Sequence, residues 1–137
     1  TVKEIPGITY VELDTLLEES DIISLHVPLN DATRGMIGAE EIQKMKKSAV
    51  LINTARGPVT DANALSEALK AGRIAGACVD VFENEPPVAA DHPLFSAPNT
   101  IVTPHIAFAT REAMVKRAVT VFENVKLYLK GTPQNVM

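Results

Sequence analysis

The pattern of hydrophobic and polar residues along the chain predicts strands that alternate with helices. Four apolar runs have the length and composition of buried parallel strands, at residues 22–27, 49–53, 74–81 and 100–103. A shorter run at 8–11 is a further strand candidate. Strands that alternate with helices predict an α/β fold, namely a partial doubly wound, Rossmann-type parallel sheet with helices on both faces.

Helices are predicted between and after these strands, over residues 15–19, 39–47, 62–71 and 110–130. Asp14 and Asp61 stand where an N-cap is expected, and Gly72 and Gly131 stand where a helix is expected to stop. The last helix is long, and its apolar residues recur at spacings of three and four: Met114, Ala118, Val121, Val125 and Leu129. This C-terminal helix therefore offers one apolar stripe to a core or an interface.

Composition narrows the class of protein. The chain has 137 residues, 46% of them hydrophobic, which is enough for a packed core and does not fit a disordered chain. With 13 basic and 17 acidic residues and no basic stripe, nucleic acid is not an expected partner. No apolar run reaches the roughly 20 residues of a membrane helix, so no membrane association is expected. The single cysteine, Cys78, lies in an apolar run and is expected to be buried in a reduced, cytoplasmic setting.

Polar and ionisable residues follow each of the four predicted strands. Ligands of an open parallel sheet bind outside the carboxyl ends of its strands. His26 lies at the end of the first strand, and Arg56, Glu85 and His105 follow the second, third and fourth strands. The loop at 82–99 is long and rich in proline, as functional loops often are. The convergence of these side chains on one edge predicts a functional site there.

The residue types at this edge suit the reduction of a carbonyl. Such a reaction needs a proton as hydride arrives, and histidine supplies one near neutral pH, here His105. A carboxylate such as Glu85 would fix the imidazole tautomer, and Arg56 could clamp a substrate carboxylate. Simpler explanations stay open, because His105 could be a surface histidine, Arg56 a solvated turn residue and Glu85 a solubilising loop residue. The three histidines, which include His92 as a structural or exposed residue, are too scattered to predict a metal site.

Four segments in order carry a family resemblance: Ser24–Leu29, Asn53–Gly57, Val79–Pro86 and Thr103–Ala107. Together they resemble the D-isomer-specific 2-hydroxyacid dehydrogenases, which include D-lactate, D-glycerate (hydroxypyruvate) and D-3-phosphoglycerate dehydrogenases. The ending at 130–136 is most similar to the glycerate/hydroxypyruvate reductase branch. The resemblance implies an oxidoreductase that transfers hydride between a nicotinamide cofactor and a D-2-hydroxy acid or 2-oxo acid. NAD is the expected cofactor, with NADP as the alternative.

The resemblance also implies a role for individual residues. Arg56 matches the substrate-binding arginine, His105 the acid/base, and Glu85 the carboxylate paired with that histidine. Asp80 matches the residue near the nicotinamide carboxamide. The positions that match cofactor-binding residues are His26, Val27, Pro28, Thr54, Ala55, Arg56, Asp80 and His105. A small 2-oxo or 2-hydroxy acid substrate and a homodimeric full-length protein are expected partners.

The sequence lacks the Gly-x-Gly-x-x-Gly loop that cradles a dinucleotide pyrophosphate, because its seven glycines are not spaced that way. Family members are longer, and the loop is expected to precede Thr1. Residues 1–110 are therefore expected to be the C-terminal part of the nucleotide-binding domain, and 111–137 a helix and tail that pack towards the substrate domain or a dimer partner. The strand at 22–27 would then form an exposed apolar edge. The chain alone is expected to be inactive; the alternatives are a non-enzymatic nicotinamide-binding regulatory module and an inactive fragment.

Overall fold

A computed structural model of the protein describes residues 5–136, and the chain divides into two compact units that meet in sequence between Pro104 and His105. The elements of the first unit are α1 (Leu13–Glu19), β1 (Ile22–Leu25), α2 (Ala39–Lys44), β2 (Val50–Asn53), α3 (Ala62–Lys70), β3 (Gly76–Val79) and β4 (Thr100–Val102). Two short 3-10 helices lie in its loops, at Gly57–Val59 and Pro93–Phe95. The second unit contains α4 (Arg111–Leu129).

The four strands form one parallel sheet in the order β1-β2-β3-β4, which confirms the predicted α/β class. Ile23 lies opposite Leu51, and Leu51 lies opposite Ala77. Val79 of β3 lies opposite Val102 of β4. Because all three strand pairs are parallel, all four carboxyl ends reach the same edge of the sheet, and the loops that follow them share that edge.

The core of the first unit lies on one face of the sheet. The helices α1, α2 and α3 pack in a row with α2 in the middle. Buried side chains from both layers fill the space between them, among them Leu17, Leu25, Ile42, Leu51, Leu65 and Leu69. Strand residues alternate between faces, so Cys78 turns away from the face that buries Ala77 and Val79. Cys78 is half-buried, and the expectation of a fully buried cysteine is wrong for that reason.

Two local expectations at the start of the chain are also wrong. Residues 8–11 carry no regular secondary structure, because the run pairs with no strand among the described residues and leaves Ile8 and Tyr10 about half exposed. Helix α1 begins one residue before Asp14, which therefore lies in its first turn and does not cap it. There the Asp14 carboxylate accepts a hydrogen bond of 2.6 Å from Lys44 Nζ of α2. This bond raises the pKa of Lys44.

The predicted boundaries of the later helices agree better with the structure. Asp61 accepts hydrogen bonds from the backbone N–H groups of Asn63 and Ala64, as an N-cap does, and α3 ends just before Gly72, whose φ is +63°. In the second unit, Thr110 caps α4 by accepting a hydrogen bond from the Ala113 N–H, and Gly131 ends it at φ +74°.

Apolar side chains on α4, including Val115, Phe122 and Leu129, are more than half exposed. No helix among the described residues is long and apolar enough to cross a membrane. The unit boundary falls six residues before the predicted domain boundary at residue 110, and the roles expected for 1–110 and 111–137 stay predictions.

Candidate active site

The loop after β2 is shaped by Asn53, the last residue of that strand and one of the few buried polar residues. Its side-chain oxygen accepts a hydrogen bond from the Ala55 N–H at 3.0 Å. Its Nδ2 donates to the carbonyl oxygen of Arg56 at 3.1 Å and to Thr60 Oγ1 at 3.2 Å. A single buried side-chain amide thus forms hydrogen bonds with groups at both ends of the turn and fixes the backbone conformation of the loop that contains Arg56.

The loops after β2 and β3 touch at Gly57. A Cβ atom on Gly57 would lie 2.1 Å from the carbonyl carbon of Phe82 and 2.5 Å from the amide nitrogen of Glu83. These distances are far below van der Waals contact, so only glycine allows the two backbones to come this close. The approach places the segment that carries Arg56 against the segment that carries Glu85.

The side chain of Arg56 is exposed at this edge. Its Nη1 donates a hydrogen bond of 2.6 Å to the carbonyl oxygen of Ala55, which orients the guanidinium on its own loop. A guanidinium carries several N–H donors in a planar fork, so one such bond leaves donors for a second partner. A carboxylate is the anion that this fork fits best.

Glu85 closes a short turn at the start of the loop that follows β3. Its Oε1 accepts a hydrogen bond from the backbone N–H of Phe82. Glu83, two residues earlier in the same turn, accepts a hydrogen bond from His92 Nε2 at 3.0 Å. Both acidic side chains of the turn are therefore held in place, and Glu85 is itself exposed at the surface of the unit.

Asp80 lies one residue beyond the end of β3 and is only 3% exposed. Thr103, beyond the end of β4, donates a hydrogen bond of 2.5 Å from Oγ1 to Asp80 Oδ1. The backbone N–H of Asp80 donates to the carbonyl oxygen of Asn53, which links the ends of β2 and β3. A buried carboxylate fixed at the carboxyl edge can accept a hydrogen bond from a carboxamide.

The residues after β1 are more open. Ser24 Oγ and His26 Nε2 are 2.8 Å apart, and His26 is exposed. Val27 is half-buried against the core, and Pro28 accepts a hydrogen bond from Thr33 Oγ1 at its carbonyl oxygen. These residues lie at the same edge of the sheet as Thr54 and Ala55, the other positions expected to line a cofactor.

His105 begins the second unit and is half-buried. Its φ is +54°, in the left-handed region that costs a non-glycine residue about 1–2 kcal/mol. Its ring meets that of Phe108 edge to face, with centroids 6.2 Å apart. Such backbone conformations cluster at active sites and ligand-binding loops. His105 lies three residues beyond the end of β4.

The structure thus brings Arg56, the Glu85 turn and Asp80 together at the carboxyl edge of the first unit. The pairing of Glu85 with His105 joins two units and stays a prediction. Sequence reasoning missed the contributions of Asn53, Gly57 and Thr103, although an Asn directly after a strand and before a turn is a signal for such local bonding. Among residues 5–136 no group of His, Cys, Asp or Glu is arranged to hold a metal ion.

The site fits the nicotinamide end of a dinucleotide in part. The buried carboxylate of Asp80, at the carboxyl end of a parallel strand, is the type of group that binds a carboxamide, and the surrounding loops supply backbone and apolar groups. The glycines do not form the loop that would hold the pyrophosphate, as the sequence shows. The fit therefore covers the reacting end of a nicotinamide cofactor.

Comparison with known proteins agrees with this picture. A family model described as "D-isomer specific 2-hydroxyacid dehydrogenase, NAD binding domain" matches residues 2–107. A glyoxylate reductase from Thermofilum pendens is 53% identical over 127 residues, which are 93% of this chain and 37% of that protein. A glycerate dehydrogenase from Methylorubrum extorquens is 51% identical over 131 residues, 93% of this chain and 41% of that protein.

A solved structure gives the same result. The fold is similar to that of D-lactate dehydrogenase with NAD+ from Lactobacillus jensenii, with a TM-score of 0.87 and 34% identity over 100% of this chain and 46% of that one. The chain spans less than half the length of each of these relatives.

The parallel sheet with polar residues at its carboxyl edge defines a Rossmann-type α/β protein. More specifically, the chain belongs to the D-isomer-specific 2-hydroxyacid dehydrogenase family, and the matched part is that family's NAD-binding domain.

Proposed function

We propose that the enzyme to which this chain belongs transfers hydride between NAD and a small 2-hydroxy acid or 2-oxo acid, and that this chain supplies the proton-transfer and carboxylate-binding part of the site. The observation that carries the proposal is the contact of Gly57 with Phe82, which sets the Arg56 loop against the Glu85 turn. A cationic fork and a carboxylate at one strand edge are the groups that the reaction requires.

In this proposal the side chains divide the work between binding and proton transfer. Arg56 binds the carboxylate of the 2-oxo acid and thereby orients the neighbouring carbonyl. His105, as an imidazolium, donates its proton to the carbonyl oxygen, and the reverse reaction returns the proton to the ring. Glu85 fixes the imidazole tautomer and stabilises its charged form. The reduced nicotinamide, when bound, supplies the hydride that reaches the carbonyl carbon.

The cofactor and substrate are assigned by the same reasoning. Asp80 accepts a hydrogen bond from the nicotinamide carboxamide, and the remaining lining residues are His26, Val27, Pro28, Thr54 and Ala55. NAD is the proposed cofactor, and NADP is the alternative. Glyoxylate and hydroxypyruvate are the proposed substrates, since relatives are named for reductases of these acids. A homodimeric, cytoplasmic enzyme is proposed, with 111–137 packed towards a substrate domain or a dimer partner.

The test is steady-state reduction of glyoxylate, hydroxypyruvate and pyruvate by NADH, with the intact enzyme and an Arg56→Gln variant. Loss of a charge-assisted contact of about 1.5–3 kcal/mol should raise KM by about 10- to 100-fold. Lys70→Gln is the matched control, because Lys70 is an exposed cation on α3 that pairs with Glu67. An unchanged KM in Arg56→Gln would remove Arg56 from substrate binding.

A further inference from the structure

His92 is a nearly buried histidine that the proposed chemistry does not use. Its side chain is only 11% exposed, and its Nε2 lies 3.0 Å from Glu83 Oε2. Its ring meets the ring of Phe82 edge to face, with centroids 5.0 Å apart. Phe95 packs on it as well, at 5.5 Å between centroids. His92 therefore holds both Phe82 and Glu83, the first two residues of the turn that ends at Glu85.

The two ring nitrogens of His92 have different tasks. The backbone N–H of Leu94 donates to Nδ1 at 3.4 Å, which caps the short helix Pro93–Phe95 and requires an unprotonated Nδ1. The proton of the neutral ring is then on Nε2, where it is donated to Glu83. The short helix is in turn anchored to α3, because Ser66 Oγ donates to the carbonyl oxygen of Pro93 at 3.0 Å and Leu94 is buried.

These contacts connect the core to Glu85 in three steps. Helix α3 is hydrogen-bonded to the short helix. His92 caps the short helix, donates a hydrogen bond to Glu83 and packs its ring against Phe82. The Phe82 N–H in turn donates to the Glu85 carboxylate. A turn that carries a catalytic group on a long loop needs such support, because small displacements of a reacting group are costly for rate.

We propose that His92 is a positioning residue that, through Glu83, holds the 82–85 turn so that the Glu85 carboxylate is presented correctly. The inference rests on the proposed function, because it gives Glu85 a catalytic task. The inference predicts that the hydrogen bond from His92 Nε2 to Glu83 controls kcat, whereas the hydrogen bond from the Leu94 N–H to Nδ1 only caps the short helix.

Two substitutions separate the two nitrogens. In His92→Asn the side-chain oxygen takes the place of Nδ1 as acceptor for Leu94, but nothing donates to Glu83. In His92→Gln the side-chain amide reaches the place of Nε2 and can donate to Glu83. Both variants lose the ring contacts with Phe82 and Phe95. A higher kcat in His92→Gln than in His92→Asn therefore reports on the Glu83 hydrogen bond, and the reverse order would report on the Leu94 cap. Asp91→Ala is the control for Glu83→Ala, because it also removes a carboxylate, from the exposed residue next to His92.

In the intact enzyme, His92→Asn and Glu83→Ala should lower kcat for glyoxylate reduction by about tenfold. KM should stay within about twofold, because the Arg56 loop is unaltered. His92→Gln should recover kcat to within about threefold of the wild type, and Asp91→Ala should leave it unchanged. Combined with Glu85→Gln, His92→Asn should cause no further loss, because residues that act through one another are not additive.

Amide hydrogen exchange gives a readout that needs no turnover. The Phe82 amide should exchange about tenfold faster in His92→Asn than in His92→Gln, and the Leu94 amide should show the reverse order. Equal kcat in His92→Asn and His92→Gln, beside a clear loss in Glu85→Gln, would overturn the inference alone. Wild-type kcat in Glu85→Gln would overturn the proposed role of Glu85 and the inference with it.

Discussion

Asn53 determines the shape of the loop that carries Arg56, because it is buried and makes three hydrogen bonds within that loop. Asn53→Ala should lower the free energy of unfolding by about 2–3 kcal/mol, since a carbonyl, a hydroxyl and an amide lose their buried partner. KM should rise as the loop relaxes. Asn63→Ala, at an exposed position of α3, is the control and should change stability by no more than about 0.5 kcal/mol. Urea unfolding measures the free energy of unfolding of both variants, and equal values would contradict the role given to Asn53.

Gly57 sets the distance between the loop that carries Arg56 and the turn that carries Glu85. Gly57→Ala should destabilise the protein by about 3 kcal/mol, because the added methyl group meets the backbone of Phe82 and no side-chain rotation can remove the clash. Gly35→Ala is an informative comparison. Gly35 has a φ of +66° with open space around it, so only backbone strain of about 1 kcal/mol is expected. Thermal unfolding with a KM measurement would detect the difference, and a Gly57→Ala enzyme with wild-type KM would show that the close approach is dispensable.

The residues proposed to contact a ligand were easier to identify from the sequence than the residues that hold their loops in place. Arg56, Asp80, Glu85 and His105 lie in the segments that follow strands and carry charge or a titratable ring, so their types and positions predicted a site. Thr103 and Gly57 act through contacts between segments far apart in sequence, which a linear pattern does not show. His92 was expected to be structural or exposed, and its hydrogen bond to Glu83 now shows a structural role.

At the scale of elements, the apolar runs predicted the four strands but not the residues at which each strand begins and ends. The run at 74–81 yields only Gly76–Val79, because ladder pairing with β2 and β4 limits a strand and composition alone does not. The run at 8–11 shows the same limit, since an apolar run becomes a strand only beside a partner. The predicted ends were more reliable at α3, where Asp61 bonds to the first turn locally, and at α4, which ends at Gly131.

Strand β1 lies at one edge of the sheet, with Ile22 66% exposed, and this edge should drive self-association of the 137-residue chain. Ile22→Lys should reduce that association, because a charge on an edge strand opposes pairing with another chain. Ile101→Lys places the same charge on β4, the other edge, where Ile101 is 64% exposed. Sedimentation equilibrium of the three proteins would be compared. A wild-type chain that stays monomeric, or association abolished by Ile101→Lys alone, would contradict the prediction.

At the scale of the whole molecule, the proposal makes the chain one part of a catalytic site. Its first unit presents the exposed guanidinium of Arg56 and a held acidic turn at the edge of a parallel sheet, and its second unit begins with a histidine in a strained backbone conformation. The curated relatives that the chain matches are more than twice as long, and the chain belongs to the D-isomer-specific 2-hydroxyacid dehydrogenase family. The proposed activity is therefore a property of the intact enzyme.

The central claim is that His105 moves the proton in that enzyme. The most direct test is kcat for glyoxylate reduction by NADH in the intact enzyme with His105→Ala. Removal of a general acid should lower kcat by about 10²–10⁴-fold, with a much smaller change in KM because Arg56 still binds the substrate carboxylate. A His105→Ala enzyme with the kcat of the wild type would contradict the account.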